Sequence, residues 1–418
     1  AVGKGAGAAN TTGARNTFVG AGVATSNTTG NYNTGVGGAG SDNYNVLNNN
    51  VSGAQLTAVG TGTLARNTTG ANNTALGAYA SNKNTTASNN VAVGYEALNA
   101  NTTGAGNVAV GRQALLLNST ASSNTALGHQ ALNLSTTGAS NTAVGTASLA
   151  SNTTASNNTA VGLSAGISVT TGASNTFVGA LAGAAISTGA TNTAMGYRAM
   201  GGTGAKTGTT NVAIGADTLY VMTSGANNTA VGYDAGGSVT SGANNTFLGK
   251  SSGLSGSPGG AITTGSNEIV LGNAEITEAH IQVDWTVASD ARDKTDFTAL
   301  DLGLDFVKAL APVTYKWDKR SKYGDKTAEG YDLNAQTPDG THKEDWLDIG
   351  FKAQEVEALE IAAGYNKSSK TNLISSHTGD GKQMGLQYSK FVPILVKAIQ
   401  EQNALIEALT ARITTLEG

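Results

Sequence analysis

A short apolar phrase recurs through the first two thirds of the chain at a nearly fixed spacing. The phrase is Asn-Thr-Ala-Val-Gly with variants, and a second apolar pair follows it, as in Val91-Ala92-Val93-Gly94 and then Ala97-Leu98. Its closing glycines are Gly3, Gly20, Gly37, Gly60, Gly77, Gly94, Gly111, Gly128, Gly145, Gly162, Gly179, Gly196, Gly215, Gly232, Gly249 and Gly272. Most successive closing glycines are as many residues apart as Gly128 and Gly145 are. The spacing is longer after Gly37, Gly196 and Gly249. Such a period is typical of stacked repeats and not of disordered low-complexity sequence.

One repeat unit predicts one turn of a β-solenoid. Its Val-Ala-Val segment is β-prone, its glycine allows a bend, and its Asn-Thr-Thr-Gly segment has the chemistry of a turn. One unit cannot bury its own apolar side chains, whereas stacked units can. Equivalent Asn and Thr residues then lie above one another and can form side-chain ladders. About 15 steps at roughly 4.8 Å predict a stack on the order of 70 Å long.

The pattern changes beyond residue 249. Residues 251–260 are rich in Gly and Ser and predict a loop. Further on, Ile281, Val283, Trp285 and Val287 alternate as a strand would, and we expect Trp285 to cap the end of the stack.

Residues 289–418 carry the helix and strand patterns of an ordinary globular segment. Apolar residues at helical spacing predict a helix from Phe297 to Leu310, which Pro312 ends. The remaining pattern predicts strands at 313–317, 347–351 and 384–388 and a helix at 353–360.

A heptad repeat begins at Val392. Its a positions are Val392, Ile399, Ile406 and Ile413, and its d positions are Leu395, Gln402, Leu409 and Leu416. This pattern predicts a coiled coil at the C-terminus. Ile at a with Leu at d is commoner in dimers, so the heptad alone does not demand three strands.

Charge is divided sharply between the two parts. Residues 1–288 carry 8 Lys/Arg and 8 Asp/Glu, whereas residues 289–418 carry 16 and 20. The net charge of −4 offers no basic surface for nucleic acid, and no apolar run is long enough to insert into a membrane. Without cysteine, disulfides and thiol chemistry are excluded. The chain opens on the tail of a repeat, so we expect residues upstream to have been removed or omitted.

The repeat tract resembles the heads of trimeric autotransporter adhesins and the repeat shafts of phage tail fibres, which are trimeric β-solenoids. Large side chains enter at the position after the closing glycine, and they would form a stripe along such a rod. These candidate receptor-contact residues are Tyr95, Arg112, His129, Tyr197 and Tyr233. Ordinary solvated decoration is the alternative reading of the same residues.

Four motifs stand in order in the charged segment. They are Ser289-Asp290-x-Arg292-x-Lys294, Leu310-x-Pro312-Val313-x-Tyr315-x-Trp317, Gly350-Phe351-x-Ala353-Gln354-Glu355-Val356, and Tyr388 followed by Ala398-Ile399-Gln400-Glu401. Together they resemble the intramolecular chaperone of endosialidases and phage tail fibres, the self-cleaving peptidase S74 family. The resemblance implies a domain that trimerises, guides assembly of the β-rich part ahead of it, and releases itself at the Ser-Asp junction.

The chemistry at that junction is consistent with self-cleavage. A serine hydroxyl needs a base, and lysine serves when burial or a neighbouring cation favours its neutral form. Ser289 and Lys294 are therefore the candidate dyad, Asp290 the candidate orienting group, and Ala288–Ser289–Asp290 the junction. Attack by Ser289 on the carbonyl of Ala288 would cut before Ser289, although a cut after it stays open. His342 and His377 are alternative bases, and an ordinary turn at the start of a domain is the plain alternative.

We therefore expect a mainly β fold, a trimeric parallel β-solenoid followed by a small α/β chaperone domain and a coiled-coil helix. The expected boundaries are 1–249 for the shaft, 250–288 for the neck, 289–390 for the chaperone and 391–418 for the helix. Without a cofactor or metal, the only enzymatic activity expected is single-turnover cleavage of the chain itself.

The function expected is that of a homotrimeric phage tail fibre or tailspike shaft, located in the virion tail and extracellular when mature. Its partner would be a glycan or protein receptor on the host surface, with no nucleic acid and no membrane insertion. A bacterial surface adhesin is the alternative. The alternative of another class is a glycan-cleaving tailspike whose catalytic domain lies upstream of this sequence. The repeat tract itself disfavours such an activity, because the acidic residues before Glu268 are widely spaced: Asp42, Glu96, Asp217 and Asp234.

Overall fold

The computed structural model describes residues 1–38, 44–282, 287–325, 331–366, 368, 373–378 and 380–418. The chain divides into two compact units. The first unit comprises residues 1–254 and 262–272, and the second comprises residues 255–261 and 273–418.

The first unit is built on one parallel sheet of 15 strands in sequence order. Strands β1 to β15 are Thr17–Val19, Thr34–Val36, Thr57–Val59, Thr74–Leu76, Val91–Val93, Val108–Val110, Thr125–Leu127, Thr142–Val144, Thr159–Val161, Thr176–Val178, Thr193–Met195, Val212–Ile214, Thr229–Val231, Thr246–Leu248 and Ile269–Leu271. Each strand pairs with the equivalent residues of the next turn, as Ala143 does with Ala160. The predicted β-solenoid is confirmed, and one chain forms every turn.

The core of the solenoid is narrow. The middle strand residue and a second residue six positions later point inward, and both Ala143 and Leu149 are fully buried. The closing glycine is required because the turns approach closely. Gly145 has a φ of +129°, and a Cβ atom there would lie 2.4 Å from the carbonyl oxygen of Gly162. Only a residue without a side chain fits this position.

Buried asparagines form a ladder along the stack. The side-chain oxygen of Asn141 accepts a hydrogen bond from the backbone N–H of Asn158 at 2.9 Å. The side-chain amide of Asn141 donates to the carbonyl oxygen of Ala155 at 2.9 Å. Threonines form a second column, in which the Thr136 hydroxyl donates to the carbonyl of Thr153 at 3.0 Å. Both predicted ladders are therefore present, and they satisfy backbone groups that the short strands leave unpaired.

The third strand residue points to solvent in most turns. Leu127 is 47 % exposed and Val161 is 38 % exposed, although both are aliphatic. We call the following exposed set the aliphatic stripe: Val19, Leu76, Leu127, Val161, Met195, Ile214, Val231, Leu248 and Leu271. The in-register pairing of the strands places these side chains in one line along the sheet.

The second unit is a small α/β arrangement. Its elements are α1 (Leu304–Ala309), β16 (Val313–Tyr315), β17 (Asp348–Gly350), α2 (Ala353–Ala362), β18 (Ser375–His377), β19 (Met384–Leu386) and α3 (Phe391–Glu417). Strand β16 pairs antiparallel with β17, and β18 pairs antiparallel with β19. The core consists of Leu302, Phe306, Val356, Ile374, Phe391 and Ile394. Across the described ranges, the helices are too short or too polar to span a bilayer.

The predicted start of the first helix needs correction. The helix begins at Leu304 and not near Phe297, because the Glu401 carboxylate accepts a hydrogen bond from the Leu304 backbone N–H at 2.7 Å. That carboxylate occupies the space where a side chain at Gly303 would lie.

Of the strand expected around residues 281–287, Ile281 and Val287 are among the described residues, and both are exposed and outside any strand. Val283 and Trp285, including the expected cap, lie outside the described residues, as does Asp42.

Candidate active site

Ser289 and Lys294 contact each other directly. The Lys294 Nζ atom lies 2.6 Å from the Ser289 Oγ atom and donates a hydrogen bond to it. A short 3₁₀ turn at Ala291–Asp293 separates the two residues and folds the lysine back toward the serine. The turn closes through a hydrogen bond from the Lys294 backbone N–H to the carbonyl of Ala291. A short stretch of sequence thus brings a nucleophile and an amine within hydrogen-bond distance.

The carboxylate of Asp290 serves the turn and Arg292. Asp290 Oδ1 accepts a hydrogen bond from the Arg292 backbone N–H at 2.9 Å and so caps the 3₁₀ turn. Its Oδ2 atom lies 2.6 Å from Arg292 Nη2. These bonds to Arg292 hold the pKa of Asp290 below its ordinary value. Asp290 therefore shapes the loop that carries Ser289 and Lys294, and among the described residues no hydrogen bond joins its carboxylate to Lys294.

The dyad is exposed in the single chain. Ala288, Ser289, Asp290 and Lys294 are all exposed to solvent. The arrangement supplies the contact needed for serine activation but lacks the desolvation that would make the amine a base.

The two alternative bases are engaged elsewhere. His377 Nε2 lies 2.7 Å from the Glu357 carboxylate, and the His342 ring packs edge-on against Tyr323 at 4.8 Å between centroids. No hydrogen bond joins either imidazole to Ser289 in the part of the chain that the structure describes.

The structure brings the remaining sequence motifs together. Asp348 on β17 accepts hydrogen bonds from Tyr315 and Trp317, the aromatic residues of the second motif, at 3.3 and 3.2 Å. The Tyr388 hydroxyl accepts a hydrogen bond from the Phe351 backbone N–H at 3.4 Å. These contacts give structural reasons for residues that the sequence shows only as an ordered series.

The candidate receptor-contact residues lie in one column of the solenoid. Tyr95, Arg112 and His129 occupy three successive turns, whereas Tyr197 and Tyr233 are two turns apart. The ring of Tyr95 meets that of Tyr79 edge-on at 6.4 Å. Their role as receptor contacts stays a prediction.

A charged cluster beside Tyr197 was missed in the sequence. Arg198 Nε lies 3.3 Å from Asp217 Oδ1, and the guanidinium stacks over the Tyr220 ring at 4.3 Å. Burial and the charge of Asp217 raise the pKa of Asp234 to about 6. Asp217 and Asp234 are therefore widely spaced in the sequence but not in the structure, because one repeat of sequence forms one turn. The repeat period itself was the signal that could have paired them.

A comparison with known protein families gives a match within the second unit. Residues 289–365 match the family model of peptidase S74, described as the chaperone of endosialidase. The match begins at Ser289 and includes the dyad, the Tyr315 and Trp317 motif and helix α2. No curated protein and no solved structure matches the chain. Residues 289–365 are thus similar to the chaperone of endosialidase, and in the sequence they follow the parallel β-solenoid.

Proposed function

We propose that the chain is a trimeric fibre protein for attachment to a host surface, as in a phage tail. In this proposal the C-terminal segment aligns three chains and then releases itself by cutting beside Ser289. The observation that carries the proposal is the 2.6 Å contact between Ser289 Oγ and Lys294 Nζ at the first residues of the family match.

The proposed cleavage is an N-to-O acyl shift followed by hydrolysis. Neutral Lys294 takes the proton of Ser289 Oγ, which attacks the carbonyl carbon of Ala288. The bond between that carbon and the Ser289 nitrogen breaks, and the lysine returns the proton to the departing amine. Water then hydrolyses the ester, which leaves a carboxylate on Ala288 and restores the serine hydroxyl.

Exposure of the dyad suggests how cleavage is timed. Lysine loses its proton more readily when water is removed from around it. Large apolar side chains near the dyad are exposed in the single chain, including Val287 at 80 % and Phe297 at 72 %. Packing of partner chains against these residues would dry the dyad, so that the cut follows assembly.

Both units present apolar faces that three chains would cover. The aliphatic stripe runs along the solenoid, and a continuous patch of this kind in a water-exposed protein usually marks an interface. On α3, the heptad residues Ile399 and Leu409 are 64 % and 57 % exposed. Two or four copies would also cover such faces, so the number three rests on the resemblance to trimeric fibres.

A removable alignment domain has a physical purpose in this chain. Successive turns are nearly identical, so a shift of one turn between chains costs little energy. A coiled coil at the C-terminus would set the alignment before the long-range contacts form. Once the domain has left, the aligned product would unfold too slowly to find another register.

A denaturing gel of the chain 1–418 tests the cleavage. The wild type should yield two fragments, 1–288 and 289–418, and mass spectrometry of the ends identifies the bond. Ser289→Ala and Lys294→Arg should both stay uncut, since the arginine keeps the charge but cannot act as a base. Asp293→Ala, in the same turn but outside the dyad, should cut normally. An uncut wild type, or a cut Ser289→Ala, would refute the proposed chemistry.

A further inference from the structure

Two exposed tyrosines lie two turns apart on one corner of the solenoid, with an alanine between them. Tyr197 is 53 % exposed and Tyr233 is 56 % exposed. The backbone N–H of Asp217 donates to the Tyr197 carbonyl at 3.0 Å, and that of Asp234 donates to the Ala216 carbonyl at 2.9 Å. These bonds keep Tyr197, Ala216 and Tyr233 in register on three successive turns.

The spacing leaves room for one more ring. Adjacent turns are roughly 4.8 Å apart, so positions two turns apart are separated by about 10 Å. Stacked rings prefer centroid distances of about 4.5–7 Å, which a ring midway between the tyrosines would meet on both sides. The middle position carries only the small side chain of Ala216. The other part of the column differs, because Arg112 fills the turn between Tyr95 and His129.

Charged side chains lie on the same three turns as the two tyrosines. Arg198 lies near the ring of Tyr197, 5.7 Å from its centroid, and pairs with Asp217. Asp234 follows Tyr233 directly and lies close enough to Asp217 for the two carboxylates to interact. Two carboxylates against one guanidinium leave an excess of negative charge when both are ionised. This excess favours hydroxyl donors and disfavours anionic ligands.

We propose that the opening between Tyr197 and Tyr233 binds one ring of a neutral glycan. A pyranose ring offers apolar faces to the two tyrosines and hydroxyl groups to the carboxylates at the edge. The inference rests on the proposed attachment function and specifies the chemical class of the receptor. It also distinguishes Tyr197 and Tyr233 from Tyr95, which has no comparable opening beside it.

The test uses the purified product of the chain 1–418 and a printed panel of neutral and sialylated oligosaccharides from bacterial surfaces. The wild type should bind neutral members in preference to sialylated ones. Tyr197→Ala should weaken binding by about tenfold or more, comparable to the loss of one aromatic stacking partner in nucleic-acid binding. Ala216→Trp should abolish binding by filling the opening. Tyr32→Ala removes an equally exposed tyrosine elsewhere and should leave binding unchanged.

Each outcome decides the inference. Unfolding temperature and mass in solution confirm that the variants are folded, and the exposed Tyr197 can be truncated without opening a core cavity. Equal binding by wild type, Tyr197→Ala and Ala216→Trp would overturn the inference, as would a preference for sialylated glycans or no binding to any member. Adsorption to host cells distinguishes a failure of the glycan inference from a failure of the proposed attachment function. Cells bound equally by wild type and Ala216→Trp would leave attachment intact and place the receptor contact elsewhere.

Discussion

In the solenoid core, the large side chain of Phe177 fills space that two neighbouring glycines leave empty, and we call this pairing of sizes the volume exchange. It allows a quantitative prediction. Most turns combine an inward alanine with an inward leucine, as Ala143 and Leu149 do. In β10 the inward residue is Phe177, and glycines take the flanking positions. A Cβ atom at Gly183 would lie 2.3 Å from the phenylalanine ring, and one at Gly166 would lie 2.7 Å from it.

Replacing Phe177 by alanine should empty this part of the core. Truncation of a fully buried phenylalanine costs about 3–5 kcal/mol, because transfer free energy is lost and a cavity remains. Gly183→Leu alone should also destabilise, since the new side chain collides with the ring. The pair Phe177→Ala with Gly183→Leu rebuilds the common alanine–leucine turn. Gly183 has a φ of +62°, close to the +49° that Leu149 already adopts, so the backbone accepts the leucine.

The assay is a double-mutant cycle on unfolding. We would compare half-lives of unfolding at a fixed temperature by circular dichroism and convert their ratios into differences in the activation free energy of unfolding. The double variant should outlast both single variants, with a coupling of about 0.5–3 kcal/mol between the two sites. Phe247 with Gly253 repeats the arrangement and serves as an independent copy. Additive losses at both places would refute the volume exchange.

Two further predictions concern buried polar groups in the first unit. Asn141→Ala should destabilise by about 1–3 kcal/mol, because it leaves the Asn158 backbone N–H unpaired, while the Ala155 carbonyl keeps the bond from the Asn152 side-chain amide; the exposed Thr137→Ala should change little in the same unfolding assay. Burial lowers the pKa of Lys206 from 10.5 to about 8. Between pH 8 and pH 10.5 the unfolded chain therefore binds more protons at this residue than the folded chain does. Stability should therefore rise from pH 8 to 10.5, and Lys206→Met should remove that rise in thermal unfolding measured against pH. If the wild type and Lys206→Met showed the same dependence of stability on pH, the prediction would be wrong and Lys206 would titrate normally.

The solenoid could be predicted from sequence because its information is local and repeated. The closing glycine, the inward alanine and the ladder asparagine recur in most turns, so period and residue type suffice. The contact between Ser289 and Lys294 could be predicted for a similar reason, since the two residues are close neighbours in the sequence. Its contact depends on one short turn and not on the rest of the fold.

Features that depend on distant contacts were missed. The start of α1 depends on Glu401, a residue far along the chain in α3, and helical periodicity cannot detect such a cap. The Asp217 and Asp234 pair appeared dispersed because distance was counted along the chain and not in turns. Asp290 likewise has both Arg292 and Lys294 nearby in the sequence, and residue types alone do not show that its carboxylate pairs with Arg292.

The most direct test of the central claim is the native mass of the purified product of the chain 1–418. The account predicts three copies of the fragment 1–288, free of the released segment. Replacing Leu127 and Val161 of the aliphatic stripe by glutamate should shift this mass toward single chains, because charged side chains would then face the interface. A wild-type product that is monomeric and uncut would contradict both the assembly and its timed release.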